Sequence, residues 1–123
     1  MKSRSRKDKG VRLQNWTRDL LLSLADNLSP DDIKCAIMGE NAEDIKLSSS
    51  ARVVLPVSIE CKNQERLNVW SAIDQAEENA GEYEPVVVFK KNRRDPRVIV
   101  DAEFFFKLLI QASASGCEPC TAD

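Results

Sequence analysis

The stretch VVLPVSIECK, residues 53–62, constrains the fold of this 123-residue chain more than any other. From Val57 it alternates as a strand does, with Val57, Ile59 and Cys61 on one face and Ser58, Glu60 and Lys62 on the other. Pro56 suits an edge position or the start of the regular part. The apolar face needs a core. The other face ends in a carboxylate and an ammonium two residues apart, so it must meet solvent, a cleft or a ligand.

The flanking segments supply covering layers. RLQNWTRDLLLSLADNLS has apolar residues at 13, 16, 20 and 24, with 21 beside them, which is helical spacing. SPDD then marks a short helical turn. Residues 33–39, IKCAIMG, read as a strand ended by Gly39, and EDIKLS as a short strand with Asp44 and Lys46 on one face and Ile45 and Leu47 on the other. LNVWSAIDQAEENA places Val69, Ile73, Ala76 and Ala80 at helical spacing and stops at Gly81. PVVVFKK reads as a continuous buried strand, NRRDP as a turn and RVIVD as another strand. Asp101 then caps AEFFFKLLIQA, a helix apolar nearly all round and expected to be well buried. The order predicts one α/β domain over 1–123, a sandwich with a mixed sheet. Residues 1–10 read as a basic flexible leader and 112–123 as a disordered tail.

The chain has no histidine, which removes Ser-His-Asp and Cys-His catalysis and histidine-based metal triads. A general base must be a carboxylate, a lysine or a metal-bound water. Four cysteines are present, Cys35, Cys61, Cys117 and Cys120. CEPC has the spacing of half a zinc site, but Cys35 and Cys61 lack the spacing of the other half, so reduced thiols are expected. No apolar run suggests a membrane span, and the basic start has no apolar signal core, so a cytoplasmic protein is expected.

Net charge is only −2, but it is segregated. Residues 1–12 carry six basic groups and one acid; residues 90–97, KKNRRDPR, carry five and one. Two basic blocks on an acidic body suggest a phosphate-binding face, with Lys9, Arg12, Lys90, Lys91, Arg93, Arg94 and Arg97 as the DNA-binding candidates. A solvated leader and a solvated loop are the alternative.

Acid-x-Lys triplets occur three times, at Asp32, Asp44 and Glu60, so context must choose among them. Glu60 and Lys62 close an apolar strand. Asp44 opens the preceding one, and the SSSAR connection makes the two strands antiparallel neighbours. The start of one antiparallel strand and the end of the next share a sheet edge, which lets Asp44, Glu60 and Lys62 converge. Two carboxylates at one edge repel unless a cation or proton joins them. Mg²⁺ suits such a pair, with the Cys61 main-chain carbonyl as a further ligand, and Lys62 would steady the charge on a phosphate. The alternative is a surface salt bridge, worth about 0–1 kcal/mol.

Together, KGVRLQNW, IMGENAEDIKLS, SIECKNQERLNVWSAIDQAE and PVVVFKKNR resemble the PD-(D/E)xK nuclease superfamily, within it phage-type endonucleases and Holliday junction resolvase-like proteins. The resemblance spans residues 9 to 110. It implies a restriction-endonuclease-like sandwich, αβββαββα, and a DNA endonuclease dependent on Mg²⁺, with Mn²⁺ as substitute, acting on branched DNA. Asp44 matches the metal-binding aspartate, Glu60 the second carboxylate and Lys62 the catalytic lysine. Gln75 resembles a helix glutamine near the site in related nucleases; the tyrosine that often follows it four residues later is replaced by Asn79. Where archaeal resolvases carry a first-helix glutamate, this chain has Gln14, and Glu40 is the candidate replacement as metal ligand. A general duplex or single-strand DNase of this fold, or a silent nucleic-acid-binding protein, are the competing functions. Paired cuts at a junction need two sites, so a homodimer is expected, with Phe104, Phe105, Phe106, Leu108, Leu109 and Ile110 as its face unless that helix is buried in its own chain.

Overall fold

A computed structural model of the chain describes residues 2–37 and 43–114, with side chains from Arg6 onward. Its elements are α1 (Lys2–Leu24), β1 (Ile33–Cys35), β2 (Ile45–Leu47), α2 (Ser49–Val54), β3 (Val57–Asn63), α3 (Val69–Ala80), β4 (Glu84–Lys90), β5 (Arg97–Ile99) and α4 (Ala102–Ala114). The fold is α/β: one mixed five-stranded sheet in the order β1-β2-β3-β4-β5, flanked by helices. β3 and β4 run parallel because α3 crosses between them, and all other neighbours are antiparallel.

The central strands are covered on both faces. Leu13 of α1 packs with Ile33, Ile45, Val57, Ile59, Cys61, Val86 and Val88 in the main core. On the opposite face Ala72 and Ala76 of α3 pack on Val87 in a smaller core. Alanines let α3 approach the sheet closely, and that approach covers the polar face of β3.

Several expectations change. The segment 1–10, read as flexible, enters α1 from Lys2, and the segment from 112 stays helical to Ala114; the rest of the expected tail, with Cys117 and Cys120, lies outside the described residues. Val53 and Val54 belong to α2, not to the strand, because Ser48 caps a helix by accepting the N–H of Ala51. SPDD forms a turn in which Asp32 accepts the N–H of Ser29 at 2.9 Å and the hydroxyl of Ser48 at 2.7 Å. Those donors hold its carboxyl below the usual carboxylate range. The buried stripe of α3 is Ala72, Ala76 and Ala80, while Val69 is exposed. Gly81, at φ +59°, ends that helix in the region glycine tolerates best. Asp101 caps α4 by accepting the N–H of Phe104 at 3.0 Å. The expectation that α4 is buried fails: none of its residues is buried, because only one side of the helix can meet a sheet already shared with α1. Phe104 packs against the core, and Phe105, Phe106, Leu108, Leu109 and Ile110 are exposed. No helix among the described residues is long and apolar enough to cross a membrane.

Candidate active site

At the end of β3 lies a polar cleft of about 730 Å³, lined by residues of β3 and its following loop, α1 and α3. Asp44, Glu60, Cys61, Lys62 and Gln75 all line it, together with Gln14 and Lys9 from α1. The antiparallel pairing of β2 with β3, registered at Ile45 opposite Ile59, brings Asp44 to this edge. Its main chain is held on both sides: its N–H donates to Ile59 O at 2.9 Å, and its carbonyl accepts the N–H of Ala36 at 2.8 Å. Next to it, Glu43 pairs with Arg52 at 2.6 Å. The Arg52 guanidinium also donates to Val57 O at 2.8 Å and stacks 4.0 Å from the centre of the Tyr83 ring. This lock on the start of β2 was not legible in the sequence.

Of the three settings open to the Glu60 face, solvent, a cleft or a ligand, the structure gives a cleft, and the residue is more deeply buried there than its place at a strand end suggests, at 2% exposed. Its Oε1 accepts an N–H from Asn79 at 2.7 Å, so the residue standing where a tyrosine was looked for supports the site directly. Asp44 Oδ2 accepts the Cys61 N–H at 2.7 Å. Each carboxylate thus commits one oxygen to an internal donor. Burial pushes Glu60 up to about 7; the Asn79 donor opposes this, the nearby Asp44 charge adds to it, and Lys62 offsets it weakly. A carboxylate pair so held favours a shared proton or a shared cation.

Lys62 is half-buried and donates from Nζ to Gln75 Oε1 at 2.6 Å. Gln75 therefore holds the ammonium at the cleft. Among the described residues no cluster of three or more Asp, Glu or Cys could hold a metal. The carboxylate pair alone fits a hard divalent ion that keeps several waters and takes its other ligands from main-chain and phosphate oxygens. Glu40 lies outside the described residues. Gln14 lines the cleft and brings no charge.

The basic candidates separate into two sets. Lys9, Arg12, Lys90 and Arg93 meet in a groove of about 330 Å³ that shares Lys9 and Asn63 with the cleft. Lys91, Arg94 and Arg97 line neither; Arg97 borders an apolar groove under α4 instead. Arg6 and Arg66 line the cleft and were missed, the first because it fell in a stretch read as flexible. Cys35 and Cys61 are free thiols; Cys61 is buried among apolar side chains and pushed up to about 12, the property of an inert thiol.

No family model matches the chain, and neither does any curated protein or solved structure.

Proposed function

We propose that the chain is a metal-dependent DNA endonuclease of the restriction-endonuclease-like kind, acting on branched DNA. One observation carries this reading: Asp44, which leads into β2, Glu60 and Lys62 of β3 and Gln75 of α3 line one polar cleft. A surface salt bridge would not bury Glu60 or need the Asn79 and Gln75 supports.

Bound Mg²⁺ or Mn²⁺ would polarise the phosphodiester and lower the pKa of a water. Asp44 and Glu60 would hold it, beside the Cys61 main chain. Lys62 stabilises charge on the phosphate, and Gln75 keeps its ammonium aimed at the cleft. Asn79 fixes the Glu60 carboxylate. Lys9 and Arg6 attract the strand to the mouth of the cleft. The exposed apolar face of α4 supports a homodimer that would present two such clefts to a junction.

The test is a cleavage panel in Mg²⁺, Mn²⁺ or EDTA with four-way junction, flap, duplex and single-strand DNA. Hydrolysis is expected only with metal, reduced at least about 100-fold by Asp44→Ala, Glu60→Ala or Lys62→Ala. Full activity in EDTA, or in the Lys62→Ala protein, overturns the reading.

A further inference from the structure

The two basic blocks lie at opposite ends of the chain, yet Lys9 and Arg12 of α1 and Lys90 and Arg93 at the β4–β5 turn line one groove. None of the four pairs with a carboxylate among the described residues. That is a notable use of cations in a chain with 20 acidic residues, because carboxylates were available to neutralise them. Like charges crowded into a groove repel and lower their energy by taking an anion. The turn is built to hold this arrangement. Asn92 donates its N–H to Glu65 Oε2 at 2.6 Å, and Arg93 sits at φ +64°, a conformation non-glycine residues seldom adopt. Asn63 donates to Lys9 O at 2.9 Å, which joins α1 to the sheet where groove and cleft meet.

One wall of the groove is aromatic. Trp16 stands one helical turn beyond Arg12 and is 44% exposed. Cations beside a partly exposed indole form the combination that holds a single nucleotide: charge for the phosphate, a ring for the base. We infer that this groove is a subsite for one unpaired nucleotide of a DNA strand, its phosphate held by Lys9, Arg12, Lys90 and Arg93 and its base stacked on Trp16. The inference deepens the nuclease reading and, for its position next to the scissile phosphate, rests on it. A base within a continuous duplex is already stacked on its neighbours and offers Trp16 no face. The favoured substrate class is therefore DNA with an unpaired nucleotide beside the cut, as at a branch, a flap or a single strand.

The experiment reads binding without cleavage, so it fails separately from the nuclease assignment. The full chain carrying Trp70→Phe, with Trp16 as its one tryptophan, is titrated in EDTA with an eight-residue oligothymidylate, a blunt duplex of the same length and inorganic polyphosphate. The oligothymidylate is expected to quench Trp16 emission by about half, and polyphosphate to leave it unchanged. Read by the anisotropy of end-labelled DNA, Trp16→Ala should weaken oligothymidylate binding about tenfold and Trp16→Phe much less, with the duplex affected by neither. Lys90→Ala with Arg93→Ala should lower the salt slope by about one to two. The Phe variant keeps the test valid should the Ala variant fold poorly. Equal binding of polyphosphate and oligothymidylate without quenching would reduce the groove to a general polyanion patch and overturn the inference. Binding by neither would overturn it as well.

Discussion

Replacing Glu60 by glutamine should remove one source of the fold's pH dependence. The folded protein favours neutral Glu60, raised from 4.5 to about 7 chiefly by burial. Between those values the folded chain holds a proton that the unfolded chain has released, so stability falls as pH rises through that window. At about 1.4 kcal/mol per unit, the full shift is worth at most about 3.5 kcal/mol. Solvent reaching the carboxylate from the adjoining cleft screens part of this, and about 1–2 kcal/mol is the expected loss. Glutamine keeps the shape and the oxygen that accepts from Asn79, and removes the charge. In EDTA, Glu60→Gln and the parent should melt together near pH 4.5 and diverge by about 5 °C at pH 8, the variant melting higher. Mg²⁺ should raise the melting temperature of the parent at pH 8 and leave the variant nearly unmoved. Thermal melts monitored by circular dichroism from pH 4.5 to 8 measure both effects. Parallel curves for the two proteins across that range would refute the argument.

Gln75→Ala frees the Lys62 ammonium, so kcat should fall about tenfold with KM unchanged; a change confined to KM would argue against a positioning role. Asp101→Ala removes the cap of α4 at a cost of about 1 kcal/mol. Because that helix buries no residue, the loss should appear as faster amide exchange across 102–114 and little change in the global midpoint. Light scattering at micromolar concentration should give twice the 13.8 kDa chain mass, returning to one chain in Phe106→Lys; a monomeric parent would remove the dimer.

Local pattern carried much of this protein. Alternation from Val57, helical spacing around Leu13, the stop at Gly81 and the cap at Asp101 depend on neighbours in sequence, and each element they mark is present. The convergence of Asp44, Glu60 and Lys62 was also legible, because antiparallel neighbours bring a strand start and a strand end to one edge. Short connections were harder: SSSARVV has strand-like valines, and the Ser48 cap decided for helix. The rest needed the third dimension. Periodicity shows that α3 has an apolar stripe, yet sheet contact chose Ala72 and Ala76 over Val69, and that close approach buried Glu60 under Asn79. An apolar helix looks buried in sequence whether or not a surface remains to cover it, and α4 found only one side of the sheet edge. Segregated charge suggested one basic face, but which of its residues meet was not legible: spacing says nothing about residues eighty positions apart, and only the packed fold puts Lys9 and Arg12 beside Lys90 and Arg93 and leaves Lys91, Arg94 and Arg97 out of that groove.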